Sequence, residues 1–285
     1  MIRLKIALIV AGLIILTFFG LKLIDYNKNL LKIVYLDVGQ GDASLITTAS
    51  RQNILIDCGP DQIILSALNR HIRWWNKQID LVIISHDHAD HWGGLIYLSK
   101  KYQINKVLLA TPPKLSNELS ALLKQLASQE TKIINIYAPA EIKLPDNSRL
   151  SILWPNNQQI NDFIDDPNNQ SLVILWQYGL NSFLWTGDLE STAENKIINN
   201  KKLSKSINLL KIGHHGSWTA SSPDWLNYWQ PNLALISVGL NNKFNLPSQI
   251  TIDRLKRLNI KIWRTDLDGD LVIYSNGQLV WQIKK

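Results

Sequence analysis

Between Ser85 and Gly94 the chain reads Ser-His-Asp-His-Ala-Asp-His-Trp-Gly-Gly. Four side chains of metal-ligand type, His86, His88, Asp90 and His91, fall within six residues. Imidazole and carboxylate donors suit zinc and related divalent ions. A single histidine is more often structural, but packing does not explain a cluster this dense, so the run predicts metal binding. In an irregular loop, alternate residues can aim His86 and His88 at one ion while Asp90 and His91 reach a neighbouring one. Gly93 and Gly94 let the backbone pack closely behind such a site.

Other places carry further chemistry. Thr186-Gly187-Asp188 follows the apolar run Phe183-Leu184-Trp185. A carboxylate there can bridge two ions, although Gly-Asp alone is usually a turn. Lys211-Ile212-Gly213-His214-His215-Gly216-Ser217 follows another apolar run. Adjacent histidines point to different sides, so one of His214 and His215 can bind metal while the other faces the substrate. The sequence does not choose between them. Asp57 ends Ile54-Leu55-Ile56 and is placed to orient a ligand histidine through its second nitrogen. His71, among Arg70, Arg73, Trp74 and Trp75, reads as a surface histidine and not a ligand. Cys58 is the one cysteine. It has no intramolecular disulfide partner and reads as a small buried apolar residue.

These motifs need a frame that brings strand ends together. Short β-rich runs come first, at 33–38, 43–48 and 53–57, with turns at Gly39-Gln40-Gly41 and 49–52. Residues 63–75 have helical amphipathic spacing, and 81–85 form a short continuous apolar run, a buried strand. A helix starts at 95–101. A strand at 107–110, a helix at 115–128 and strands at 133–137 and 150–154 follow, and the Asn/Asp-rich residues 156–169 read as a loop. The second half repeats the habit. A hairpin of 172–178 and 182–186 turns at Gly179-Leu180-Asn181, and a helix covers 191–200. Then come strand 208–212, helix 223–229, strand 233–238, helix 248–258 and strand 261–263. A last hairpin, 271–274 with 279–283, turns at Asn276-Gly277. Two halves of strands with helices outside fit two packed sheets flanked by helices.

The chain has 285 residues, 46% of them hydrophobic, enough for a sizeable core. A charged fraction of 19% argues against a disordered body. The formal charge of +7 favours polyanions or anionic membrane surfaces, but the excess is diffuse. Part of it lies in Lys196, Lys201, Lys202 and Lys205, which read as a solvated helix face. At the N-terminus, Arg3 and Lys5 precede an apolar run over 6–21 broken only by Gly and Thr. Leu23 and Ile24 can extend it, because Lys22 can snorkel. No small-x-small cleavage site follows, so an uncleaved signal anchor is favoured over a cleaved signal peptide. Residues 1–30 are therefore expected to be anchor and linker, and 31–285 one folded unit. Basic residues stay inside, which places the body outside the cytoplasmic membrane. Nothing implies a partner protein.

The run His86 to His91, followed in order by Asp188 and the His214/His215 pair, with Asp57 before it, resembles the metallo-β-lactamase superfamily. More narrowly, the chain is similar to the extracytoplasmic hydrolase domain of ComEC-like competence proteins. That likeness rests on Leu36-Asp37-Val38-Gly39-Gln40-Gly41-Asp42-Ala43, Asn168-Asn169-Gln170-Ser171, Thr186-Gly187-Asp188, the Lys211 to Ser217 run, Ser237-Val238-Gly239 with Asn241-Asn242, and Thr265-Asp266. It implies an α/β fold, a four-layer αββα sandwich, with two divalent metal ions (Zn or Mn) and hydrolysis of a phosphodiester, DNA foremost. By the same resemblance, one ion takes His86, His88 and Asp188. The other takes Asp90, His91, Asp188 and one of His214 or His215. Asp90 doubles as the group that orients the nucleophile, and Lys211 or the unused histidine stabilises the phosphorane.

The chain departs from the pattern in two respects. No histidine lies between His91 and His214, so the first ion lacks a ligand found in many members, and Asn169 or Ser171 is a candidate replacement. Leu246-Pro247 stands where ComEC-like chains often read His-Pro. Trp92 and Trp218 flank the metal runs and could stack on bases, whereas most tryptophans fill the core. Two other readings stay open: hydrolysis of a small ester, amide or phosphocholine-type headgroup, and a degenerate module that binds without catalysis.

Overall fold

The computed structural model describes residues 30–110, 114–199 and 206–283, together with Gly12. In chain order the first half contains β1 (Leu31–Tyr35), β2 (Ala43–Thr47), β3 (Asn53–Cys58), α1 (Ile63–Asn69), β4 (Gln78–Ile79), β5 (Leu81–Ile84), α2 (Ala89–Trp92), α3 (Leu95–Leu98), β6 (Gln103–Ile104), β7 (Lys106–Leu109), α4 (Asn117–Ser128) and β8 (Lys132–Asn135). The second half contains β9 (Ala140–Lys143), β10 (Arg149–Trp154), β11 (Val173–Tyr178), β12 (Asn181–Trp185), α5 (Ser191–Ile198), β13 (Ile207–Lys211), α6 (Pro223–Trp229), β14 (Pro231–Ile236), α7 (Gln249–Arg257), β15 (Lys261–Arg264), α8 (Thr265–Asp268), β16 (Leu271–Ser275) and β17 (Val280–Ile283).

Two sheets result. The first runs β17-β16-β1-β2-β3-β5-β7-β8 and the second β15-β14-β13-β12-β11-β10-β9. In each, one part is antiparallel and one parallel: β3, β5, β7 and β8 run together, as do β12 to β15. The central strands β3 and β5 are buried along their whole length, as expected of apolar runs covered on both faces. Three apolar layers fill the spaces. One lies between the sheets, one packs α1, α3 and α4 on the first sheet, and one packs α5, α6 and α7 on the second. The outcome is the expected αββα order. Helix caps sharpen the boundaries: Ser116 accepts from Leu119 N, Ser222 from Trp225 N with Pro223 following, and Ser248 from Ile250 N.

Some local expectations differ. The helix expected over 63–75 stops at Asn69. Arg70 and His71 turn inward to Asp270, and Trp74 and Trp75 project outward. His71 is therefore no surface residue: its ring is 5% exposed and lies 2.7 Å from Asp270 Oδ2. The polar segment 156–169 contains one 3-10 turn, Gln159–Phe163, and leads into another at Asn168–Gln170. Burial of Ile160 and Phe163 drives the first. The edge strand β9 carries too little apolar alternation to be read in advance. Lys196 is ion-paired with Asp162 at 2.6 Å, whereas Lys201, Lys202 and Lys205 lie outside the described residues. So does the expected anchor run apart from Gly12. Among the described residues, no helix is long and apolar enough to cross a membrane.

Candidate metal centre

The parallel strands end on one side of the sandwich, where ligands of α/β sheets commonly sit. Asp57 closes β3, His86 to His91 follow β5, Asp188 follows β12, and His214 and His215 follow β13. The first loop is braced from behind. Asp87 accepts from Ser116 N and Ser116 Oγ, fixing the start of α4, and from Trp92 Nε1. A Cβ on Gly93 would strike Pro60 O and one on Gly94 would strike Cys58 O, so both glycines allow the close approach expected of them. Cys58 is buried and free.

The second sheet supplies its groups through a strained turn. His214 (φ 46°, ψ 50°) and His215 (φ 51°, ψ 26°) both have left-handed backbones. Such conformations are costly for non-glycine residues and concentrate at functional sites. The turn sends the two rings apart. His215 is buried and His214 is partly exposed. His214 Nδ1 lies 3.0 Å from Glu190 Oε1, which also accepts from Thr219 Oγ1 at 2.8 Å. The His214 bond, burial notwithstanding, holds the Glu190 carboxyl below its ordinary value.

The inward rings share one arrangement. His91 Nδ1 lies 2.9 Å from Asp57 Oδ2, His215 Nδ1 lies 2.9 Å from Ser237 O, and His86 Nδ1 lies 3.0 Å from Ser85 Oγ. Partners on Nδ1 leave Nε2 for the cluster, the usual way a protein orients ligand imidazoles. His91 Nε2 and His215 Nε2 lie 3.4 and 3.3 Å from Asp188 Oδ2. His215 Nε2 is also 3.1 Å from Asp90 Oδ2. Donor atoms within 4.8 Å of one another form the groups His86/His91/Asp188, Asp90/His91/His215 and Asp42/Asp188/His215. A further group, Asp42/Asp57/His91, sits behind them.

Two observations fit this donor set to cations. His86 Nε2, His91 Nε2 and Asp188 Oδ1 are buried with no hydrogen-bond partner, and orphaned polar atoms of this kind need a partner. Asp42, Asp57, Asp90 and Asp188 converge, and among the described residues Lys211 is the permanent countercharge paired with them. Burial alone would raise the Asp188 carboxyl, but His215 and His91 hold it well below the carboxylate range. Burial and the neighbouring His91 push His86 well below its ordinary value. A neutral imidazole keeps its lone pair for a metal.

The structure places the sequence-derived residues unequally. His86, Asp90, His91, Asp188 and His215 come together, and Asp57 holds His91. His88 does not join any of the close donor groups; its ring is 4.7 Å from that of His86. His214 stays on the open side. Lys211 does not face that side as a group meeting substrate would. It is 2% exposed, donates to Gly187 O at 2.9 Å and pairs with Asp42. Burial alone would lower Lys211, but Asp42 and Asp188 keep it charged and raised. Asn169 and Ser171, the alternative candidates for the first ion's missing ligand, brace the second loop: Ser171 Oγ accepts from Asp188 N and Asn169 Oδ1 from Glu190 N. Trp92 is buried and bonded to Asp87, so it offers no stacking face, whereas Trp218 is 60% exposed. The sequence reading gave no role to Asp42, Ser85, Glu190 or Ser237. Asp42 and Ser237 carried a signal in the Gly-Gln-Gly-Asp and Ser-Val-Gly runs and Ser85 opened the metal run, whereas Glu190 carried none.

Residues 36–239 match the family described as Metallo-beta-lactamase superfamily. The chain is 31% identical over 268 residues to Recombination protein 2 of Haemophilus influenzae, covering 91% of this chain and 31% of that protein. It is 27% identical over 261 residues to ComE operon protein 3 of Bacillus subtilis, covering 83% of this chain and 32% of that one. The chain thus spans about a third of the length of these two relatives. Among solved structures, a metallo hydrolase from Ignicoccus hospitalis superposes with a TM-score of 0.53 at 14% identity, covering 85% of this chain and 98% of that one. With two sheets, their flanking helices and a convergent His/Asp centre at one end, the chain belongs to the metallo-β-lactamase superfamily of metal-dependent hydrolases.

Proposed function

We propose that this protein is a membrane-anchored phosphodiesterase that cleaves DNA outside the cytoplasmic membrane, using two divalent ions, zinc or manganese. The observation that carries the reading is the convergence of three Nδ1-anchored imidazoles on Asp188, beside the partly exposed His214. Similarity to competence proteins supplies the substrate class. In this reading His86 and Asp188 would hold one ion, joined by His88 once its ring, 4.7 Å from that of His86, turns toward them, and Asp90, His91, Asp188 and His215 would hold the other. Bound ions of this kind act as Lewis acids toward both the attacking and the leaving oxygens of a phosphodiester.

The chain's own groups do the rest. Asp90, one-third exposed, orients the attacking water as a hydrogen-bond acceptor. His214, its Nδ1 held by Glu190, presents its other ring nitrogen to a phosphorane oxygen. Lys211 acts from behind, fixing Asp42 and the Gly187 carbonyl so that Asp188 is aimed. Exposed Trp218, and Phe244 with Lys243 Nζ 5.1 Å from its ring centre, offer aromatic and cationic faces on the same side.

The test is to purify the full chain in detergent, count bound metal, and incubate it with labelled single- and double-stranded DNA in Mn²⁺, Mg²⁺ and Zn²⁺. Asp188→Asn runs alongside. Metal-dependent cleavage absent from the variant is the expected result. Two ions per chain without cleavage of either DNA would move the substrate to a small phosphodiester or headgroup. A chain that binds no metal would overturn the reading.

A further inference from the structure

The end of the sandwich opposite the metal centre carries its own exposed apolar groups. Trp74 and Trp75 are 76% and 60% exposed, Leu180 is 83% and Leu279 is 67%. Side chains of this size at loop and hairpin tips mark contact surfaces when they gather in one place.

Strand register gathers them. Lys32, Thr47 and Asn53 lie on one rung of neighbouring strands, since Lys32 pairs with Thr47 and Thr47 with Asn53. Lys32 Nζ donates to His71 O at 3.3 Å and Asn53 Nδ2 donates to Gln78 O at 3.3 Å. The 71–78 segment, which carries Trp74 and Trp75, therefore descends from His71, whose ring is held by Asp270, past the Lys32 side chain to Gln78 on that rung. Leu31 pairs with Ser275, so the 276–279 turn that carries Leu279 hangs beside the start of β1. Leu180 N donates to Gly277 O at 2.6 Å, joining the second hairpin tip to the first. Asp57 lies four positions along β3 from Asn53, about 13 Å further up the strand, and the metal loops begin there. All four apolar tips thus border the point where the chain enters β1, away from the metal centre.

Charge at this end is one-sided. Arg73, Lys77, Lys100, Lys101, Lys106 and Lys132 are exposed here, beside Asp80 and Glu130. They are brought together by the β4–β6 pair, the Lys106–Lys132 register and the Gln103 N to Lys77 O bond. Arg73 sits over the Trp75 ring at 5.3 Å and Lys77 over Tyr102 at 4.9 Å. Tryptophan with flanking arginine and lysine is the composition of the membrane–water interface. The apolar run over 6–21 ends nine residues before residue 30, and nine residues reach at most about 30 Å.

We propose that this end is a membrane foot: Trp74, Trp75, Leu180 and Leu279 enter the interfacial layer of a bilayer with anionic lipid, and the basic residues meet its headgroups. The foot rests on the anchored reading and adds an orientation to it. The metal centre faces away from the membrane, open to a substrate arriving from outside.

The test uses the full chain in vesicles of phosphatidylcholine with phosphatidylglycerol. Cys58 is fully buried, so single nitroxide labels are placed through Trp74→Cys, Leu180→Cys and, on the metal side, Leu240→Cys. Labels at 74 and 180 should collide with lipid-soluble oxygen more than with an aqueous nickel complex, and the label at 240 should do the reverse. Removing a third of this lysine and arginine charge through Arg73→Gln with Lys77→Gln should raise the water exposure of label 180, most in vesicles rich in phosphatidylglycerol. Co-sedimentation with vesicles while labels at 74, 180 and 240 are equally water-exposed would overturn the foot and leave the anchor standing. Failure to co-sediment would overturn both. A label at 74 immobilised by single-stranded DNA, or by a second copy of the chain, yet water-exposed in vesicles would reassign the surface and overturn the foot.

Discussion

The two sheets build one centre by different means. The first delivers His86, Asp90 and His91 from a single loop after β5, held by Asp57 and Asp87. The second delivers Asp188 and His215 from separate loops after β12 and β13. These meet only because the two strands pair in parallel, Phe183 with Leu209 and Leu184 with Leu210. The first loop is a local device, and its chemistry is written in consecutive residues. The second is a tertiary device, whose parts have no meaning apart from the sandwich. Asp188, from the second side, lies 3.4 Å from His91 of the first loop and 3.3 Å from His215 of its own sheet, so each loop depends on the other.

The largest effect that tests this division comes from Asp188. Asp188→Ala should strip metal from both halves and lower hydrolysis at least about 100-fold, since even losing an outer partner of a ligand costs about 10–100-fold. Asp188→Asn, which keeps the size, should do the same while thermal unfolding stays cooperative. Metal counting on the purified variants is the check. A variant that retains two ions would mean the loops hold metal independently, and the bridging role would be lost.

Next comes the histidine pair. His215→Ala should lose an ion and activity together, because its Nε2 lies among Asp90 and Asp188. His214→Ala should keep both ions and lose turnover, with KM changing less than kcat. Equal metal content in the two variants would erase the distinction drawn from the left-handed turn. A smaller change is expected from Asp57→Asn on the first side. The amide still meets His91 Nδ1 without the charge, so metal affinity should fall about 10–100-fold, read by competition with a chromogenic chelator. If affinity is unchanged, a neutral acceptor on His91 Nδ1 suffices and the Asp57 charge adds nothing.

The same division explains what the sequence made legible. The run from His86 to His91 announces itself because its donors are consecutive, and the alternation of strands and helices predicts the layers because apolar periodicity is local. Lys211 sits in a motif beside histidines, yet its neighbour Asp42 lies far away in sequence, and only the folded sheets turn it inward. His71 looked exposed because Arg70, Arg73 and two tryptophans surround it. Asp270, distant in sequence, is what buries it. His88 matches the metal motif by spacing, but the loop's actual path brings His91, not His88, within reach of His86 and Asp188. Motif spacing reports candidates, whereas the choice between His214 and His215 depended on backbone angles that no spacing encodes.

The bracing of the second loop offers the smallest effect on catalysis and the cleanest pH signature. Glu194 on α5 accepts from Ser221 N at 2.6 Å and Ser222 N at 2.9 Å, closing the segment that follows the histidine turn. Burial outweighs these bonds and raises its carboxyl from 4.5 to about 7. Between those values the folded chain holds a proton that the unfolded chain has released. Stability from this group is therefore complete below about pH 4.5 and lost as pH rises toward 7, a change on the order of 2–3 kcal/mol. Urea unfolding at pH 5 and pH 8 measures it against Glu194→Gln, which cannot ionise and pays the same amide mismatch at both values. The lowered carboxylates of the metal centre titrate alike in both proteins and cancel in the difference. The native chain should lose more stability than the variant on going to pH 8, with metal content unaltered. Parallel losses would mean that the two backbone donors hold Glu194 ionised throughout. The second loop would then be braced by a fixed charge at Glu194.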